Sequence, residues 1–311
     1  MSATVTRPVT LTDAMLVSST VPENDYTEWA AATSYVVKNR VMRSVAGVHK
    51  NFENLIAGIN ASLPENETTG ATPRWLDLGA TNRWAMFDDK VGTGARTARL
   101  LSLSVVLKPG NINSLYLGNL IGKTAVVTAK NATGGTEVYN RTVNLDGTII
   151  GSFYEWFFTD FAQKTDVLLS DLPNQFHGLE VTITLTADSG SVSVGVCLFG
   201  KAITLGDSKM GAGVGIISYT KKIDDGFGNI TVFRPKNPNA NRMSLQIMLP
   251  KERFSQVFNT LKSLDGILCV YSGAGQDGFE PFNALGFYKD FFITVEYFNH
   301  YLVALEVEGV N

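Results

Sequence analysis

Residues 179–200 read LEVTITLTADSGSVSVGVCLFG. Val181, Ile183 and Leu185 alternate with Thr182, Thr184 and Thr186, so an extended strand here is apolar on one side and hydroxylated on the other. After Asp188-Ser189-Gly190, residue types that turn a chain, Val192, Val194, Val196 and Leu198 alternate again. The pattern predicts a half-buried antiparallel hairpin. Upstream, LLSLSVVL, TAVVTA and EVYNRTVNL are further strands with a turn at Gly134-Gly135, and together they predict a β-sandwich over 96–204. The aromatic run FYEWFFTDF, 153–161, is expected to fill that sandwich.

Residues 1–25 are rich in Thr, Val, Ser and Pro with no sustained period, and read as an extended arm or a strand added to something else. Residues 26–95 carry short apolar runs between polar turns, a small β domain followed by a joint. LGDSKMGAGVGIIS near 205–217 reads as a Gly-rich hinge opening a third unit, 205–311. There PKERFSQVFNTLKSLDG places Phe254, Val257, Phe258, Leu261 and Leu264 at helical spacing and ends at Gly266, where a left-handed cap costs little. Flanked by NRMSLQIML, GILCVYSG and a closing hairpin near Asn299-His300, the unit reads ββαβββ. The expected fold class is mainly β and multidomain: a small β module, an antiparallel β-sandwich and a C-terminal α+β domain with one main helix.

Length and composition agree. A chain of 311 residues exceeds one typical core. Only 18% of residues are charged and the net charge is −3, so no basic surplus points to nucleic acid. The N-terminal MSATVTRPVTLTDAML has no basic segment leading into an apolar one, and no apolar run approaches the roughly 20 residues of a membrane span. No membrane insertion and no export are expected. Cys197 and Cys269 lie 72 residues apart and read as buried thiols in a reducing cytosol.

The residues offer little chemistry. His49, His177 and His300 do not stand at metal-ligand spacing from one another or from a cysteine, and no nucleophile elbow, P-loop or zincin motif occurs. Asp88-Asp89 and Asp224-Asp225 are adjacent carboxylates that would point to opposite faces of a strand and could not flank one sugar. DDGFGN lacks the ligand alternation of a calcium loop and reads as a tight turn. No catalytic residue, metal or cofactor is expected. The aromatics Trp29, Tyr35, Phe52 and Trp75 fall in a unit that looks too small to bury all four. They are therefore the candidates for stacking on a glycan, against the plainer reading that they form a miniature core. PRWLDLGATNRWAMFDDK, 73–90, lies where the first unit gives way to the sandwich. Trp75 is expected to close the module, Trp84 and Phe87 to fill the joint, and Arg83 to pair with Asp77, Asp88 or Asp89.

Two resemblances bear on function. EWAAATSYVVKNRVMRSVAGVHKNFENLIAGINASLPENETTGATPRWLDLG resembles the small carbohydrate-binding modules of chitin- and cellulose-active enzymes. WLDLGATNRWAMFDDKVGT looks like a segment of tail and baseplate proteins of tailed bacteriophages. The stretches from FYEWFFTDFAQKTDVLLSDLP to VCLFGKAITLG, NRMSLQIMLP and VALEVEGV resemble their later domains. The resemblance implies a non-catalytic virion structural protein of a tail tip or baseplate, assembled in the host cytoplasm. Its implied partners are other tail proteins and its own copies, a trimer by tail symmetry. The alternative it leaves open is a tail-anchored module that recognises host cell-surface polysaccharide.

Overall fold

The computed structural model describes residues 2–310 apart from 89–96, 149, 161, 227–228, 236–238, 275–278 and 296. The chain is mainly β, 52% strand against 11% helix, with several sheets and one main helix. Its centre is a nine-stranded sheet. The strands run in the order Val167–Leu169, Ser114–Gly118, Val196–Ser208, Ser2–Pro8, Cys269–Ser272, Asn283–Thr294, His300–Gly309, Asn239–Pro250 and Gly213–Ser218. A five-stranded sheet, Glu137–Asn144, Thr124–Lys130, Glu180–Val194, Thr97–Leu107 and Leu16–Ser19, covers one end of it.

The two sheets close a sandwich on the alternating residues. Leu103, Val105, Val127, Val181, Ile183 and Leu185 meet Leu115, Leu117, Val167, Cys197 and Phe199 in one apolar cluster. The other end of the large sheet is covered by the main helix, Phe254–Ser263. Val257, Leu261 and Leu264 pack there on Val5, Met243, Leu305 and Val307, and Gly266 adopts φ +68° as its cap position predicts.

Residues 179–200 run through two strands, yet these do not form a hairpin. Glu180–Val194 pairs with Thr97–Leu107 and Thr124–Lys130, whereas Val196–Ser208 pairs in the large sheet with Ser114–Gly118 and Ser2–Pro8. Asp188-Ser189-Gly190 forms a bulge, the register against the neighbouring strand jumping between Thr186 and Ser191. The chain then crosses between sheets at Gly195, where the backbone N–H donates to the Gly118 carbonyl at 3.0 Å. A Cβ at Gly195 would lie 2.4 Å from that of Asn119, so only glycine fits the corner. The inward phase changes there. Val192 and Val194 face the sandwich core, as do Cys197 and Phe199, while Val196 and Leu198 turn to the opposite face of the large sheet against Val270 and Leu285. Alternation in sequence shows that a segment is a strand but not which sheet it joins.

Two expected boundaries change for the same reason. The division at 204/205 falls inside the strand Val196–Ser208, so the sandwich and the C-terminal unit share one sheet. The expected hinge at 205–217 is instead the end of that strand, a turn and the edge strand Gly213–Ser218, with the Lys209 N–H bonded to the Gln246 carbonyl. The N-terminal segment 1–25 is not a free arm. Ser2–Pro8 lies between Val196–Ser208 and Cys269–Ser272 with Ala3 and Val5 fully buried, and Leu16–Ser19 edges the five-stranded sheet.

The small unit keeps its own sheet, Thr27–Glu28, Arg40–Arg43, Lys50–Asn54 and Trp75–Ala80, with its first pair parallel. A two-strand pairing, Ser34–Tyr35 with Gly58–Ile59, lies beside it.

Candidate functional site

The four glycan candidates form the core of the small unit. Trp29 and Tyr35 are 9% and 7% exposed, and Phe52 and Trp75 are fully buried; with Val41 they make one cluster. Phe52 stands opposite Val41 across the central pair of strands, and Tyr35 meets Trp75 edge-on with centroids 5.3 Å apart. The Tyr35 hydroxyl accepts the Ala30 N–H at 2.8 Å, and the Arg43 guanidinium lies 5.2 Å from the Trp29 ring centre. No ring face among the four is open for a sugar. The expectation that the unit could not bury them is corrected: a four-stranded sheet folded over two short strands encloses four rings. The open depression of about 470 Å³ in this unit is lined by Ile56, Asn66, Glu67, Thr69, Thr72 and Arg74, and it offers no aromatic ring.

The segment 81–88 touches both the small unit and the sandwich core. Trp84 stacks on His49 of the small unit at 4.4 Å and 23°, and meets Phe87 edge-on at 5.8 Å. Met86 is buried in the sandwich core with Phe87 packed against it. Asp88 is half-buried at the end of the segment.

The expected ion pairing of Arg83 is different in the structure. Its Nε donates to the Val21 carbonyl at 2.8 Å and its Nη1 lies 3.8 Å from Glu23, while Asp77 takes the Lys50 ammonium at 2.7 Å; Asp89 lies outside the described residues. Glu23, 7% exposed at its side chain, organises the joint. One of its oxygens meets His49 Nδ1 at 2.8 Å and accepts the Thr81 hydroxyl at 2.8 Å. Asp25 accepts from Asn51 Nδ2 at 2.8 Å and the Asn82 N–H at 2.7 Å, and Asn82 exchanges two hydrogen bonds with the Ala98 backbone. Residues 21–25, absent from the predicted joint, thus tie the first unit to the second. Their acidity in a Pro-bounded turn was the only sequence signal.

The largest departure is the aromatic run. Phe153–Phe158 is a six-residue helix closed by a capping box, in which Glu155 N–H donates to Ser152 Oγ and the Glu155 carboxylate accepts the Ser152 N–H. It does not fill the sandwich: Phe153, Tyr154, Trp156, Phe157 and Phe158 are 65–84% exposed. A second exposed apolar element is the two-stranded ribbon Lys221–Asp224 with Ile230–Phe233, which extends past the sheet's edge strand. All eight residues of its strands are exposed, among them Ile223, Ile230, Val232 and Phe233. The signal in the helix is a run in which Glu155 is the only polar residue of six, whereas each face of the ribbon mixes apolar side chains with polar ones, Lys221 and Thr231 on one and Lys222 and Asp224 on the other.

Among the described residues, no three His, Cys, Asp or Glu side chains come together as metal ligands, and no helix is long and apolar enough to cross a membrane. Cys197 and Cys269 are both free and sit in separate cores, their thiols pushed up by burial, Cys269 to about 11. The arrangement defines a β-rich, multidomain protein whose unusual surface features are exposed aromatic and aliphatic side chains at 153–158 and on the strands 221–224 and 230–233. No protein-family model and no curated protein matches the chain.

Proposed function

We propose that the chain is a structural, non-catalytic subunit of a bacteriophage tail tip or baseplate that packs against its own copies and other tail proteins. The helix Phe153–Phe158 is the observation that carries the assembly reading. A lone chain in water rarely exposes a contiguous apolar patch beyond roughly 300–600 Å², and five aromatic rings 65–84% exposed on one short helix present on the order of 700 Å². The virion setting rests on the resemblance of 75–93 and the later strands to tail and baseplate proteins.

The glycan reading loses its platform, because Trp29, Tyr35, Phe52 and Trp75 are spent on the core of the small unit. Mass spectrometry of purified virions tests the assignment: the chain is expected in stoichiometric amount. Its absence from virions, together with a purified protein that binds no tail protein, would overturn it.

A further inference from the structure

The assembly reading leaves open which surfaces meet. We propose that copies of this chain join head to tail, the aromatic helix 153–158 of one copy seating against the ribbon 221–233 of the next. This inference rests on the assembly reading and specifies it.

The shape of the helix comes first. At about 100° per residue, its five rings sweep roughly 200° of arc, with Glu155 alone on the remaining side. Ring pairs on the helix already pack together, Phe153 with Phe157 at 5.5 Å and Tyr154 with Phe158 at 4.6 Å, so the knob is a preformed unit. An arc so wide is not covered by a flat face; a twisted ribbon curves around it. The ribbon in turn is exposed at all eight residues of its strands. Ile223 and Phe233 lie on one of its faces and Ile230 and Val232 on the other, and two strands alone are marginal in water.

Area and charge favour a second copy. The five rings present on the order of 700 Å², close to the roughly 800 Å² per partner that a stable interface needs. Residues 142–163 hold Asp146, Glu155 and Asp160 and no Lys or Arg. The ribbon offers Lys221, Lys222 and Arg234, all exposed. Against these three cations stand Asp224 and Asp225, so residues 221–234 carry a formal +1 where residues 142–163 carry a formal −3. An acidic surround also disfavours an anionic lipid surface as the occupant. Joined in one direction, knob to ribbon, the contact is heterologous and builds a closed ring or an open filament.

Two charge-inserting variants test the pairing by sedimentation velocity: Trp156→Glu with Phe157→Glu in the knob, and Ile223→Glu with Phe233→Glu in the ribbon. All four positions are exposed, so circular dichroism and melting should match the parent. The parent is expected to associate as concentration rises, and each variant alone to weaken that association by on the order of 30-fold or more, as loss of a hot-spot aromatic does. A mixture of the two variants retains one intact knob–ribbon pair and should stop at a 1:1 heterodimer.

A parent that associates undisturbed by either variant, or a mixture that stays monomeric, overturns the pairing while leaving assembly by another surface in place. A parent that remains monomeric throughout overturns self-association, and its presence or absence in virions then decides the broader reading separately.

Discussion

Trp75 and Trp84 stand nine positions apart in one segment and play different parts. Trp75 is fully buried against Tyr35, so Trp75→Ala removes the largest side chain of a miniature core and should cost about 3–5 kcal/mol. The first unit would melt separately and early in calorimetry; an unaltered trace with retained folding would show that the cluster is not its core. Trp84 is half-buried and bridges His49 and Phe87, so Trp84→Ala should cost about 0.5–1.5 kcal/mol and loosen the first unit from the sandwich. An unchanged melting profile and unchanged protease resistance at 81–88 would contradict that role.

Burial also fixes a pH dependence. Cys269 is raised from an ordinary 9.0 to about 11, chiefly by desolvation, and burial likewise raises Cys197 and the phenols of Tyr116 and Tyr271. An acid held neutral in the fold ionises first in the unfolded chain. Its stabilising effect is therefore complete below about 9 and declines as pH rises towards 11. Melting temperature should fall across that window, and neither thiol should react with Ellman's reagent at pH 8 until the protein is denatured. Rapid labelling of the native protein would show that the two thiols are not enclosed. At this scale the sequence marked the residues that cluster, Trp29, Tyr35, Phe52 and Trp75, but counting rings against residue number misjudged how much a four-stranded sheet and a two-strand pairing can enclose.

Among the elements, the helix at 254–263 and the strands at 97–107, 124–130 and 180–194 were legible because each carries its own period. The crossing at Gly195 was not, since two strands in one sheet and two strands in facing sheets share the same alternation. Gly195→Val should be poorly tolerated, because its Cβ would meet Asn119 where the chain changes sheets; a destabilisation of about 1–3 kcal/mol or loss of soluble protein is expected. Full solubility with an unchanged melting temperature would refute the corner. The aromatic helix was legible as an aromatic run but not as a surface, because composition does not tell a buried helix from an exposed one.

For the whole molecule, the division into units was legible only in part. The small unit announced itself by its composition, whereas the two larger ones share a nine-stranded sheet threaded by the N-terminal strand, a pairing across some 200 residues that no local pattern reveals. Deleting residues 2–8 should therefore unfold or aggregate the chain rather than trim a dispensable arm, and a soluble deletion with a parental melting profile would contradict the topology. The same architecture leaves the helix 153–158 and the strands 221–224 and 230–233 exposed, and the proposal that the chain is part of a larger assembly rests on that exposure.

The most direct measurement is a cryo-EM map of the intact virion with the chain fitted into it. The account predicts density for the chain in the tail tip or baseplate, with the helix 153–158 and the ribbon 221–233 covered by neighbouring subunits. A virion without the chain, or one in which both elements face solvent, would contradict it.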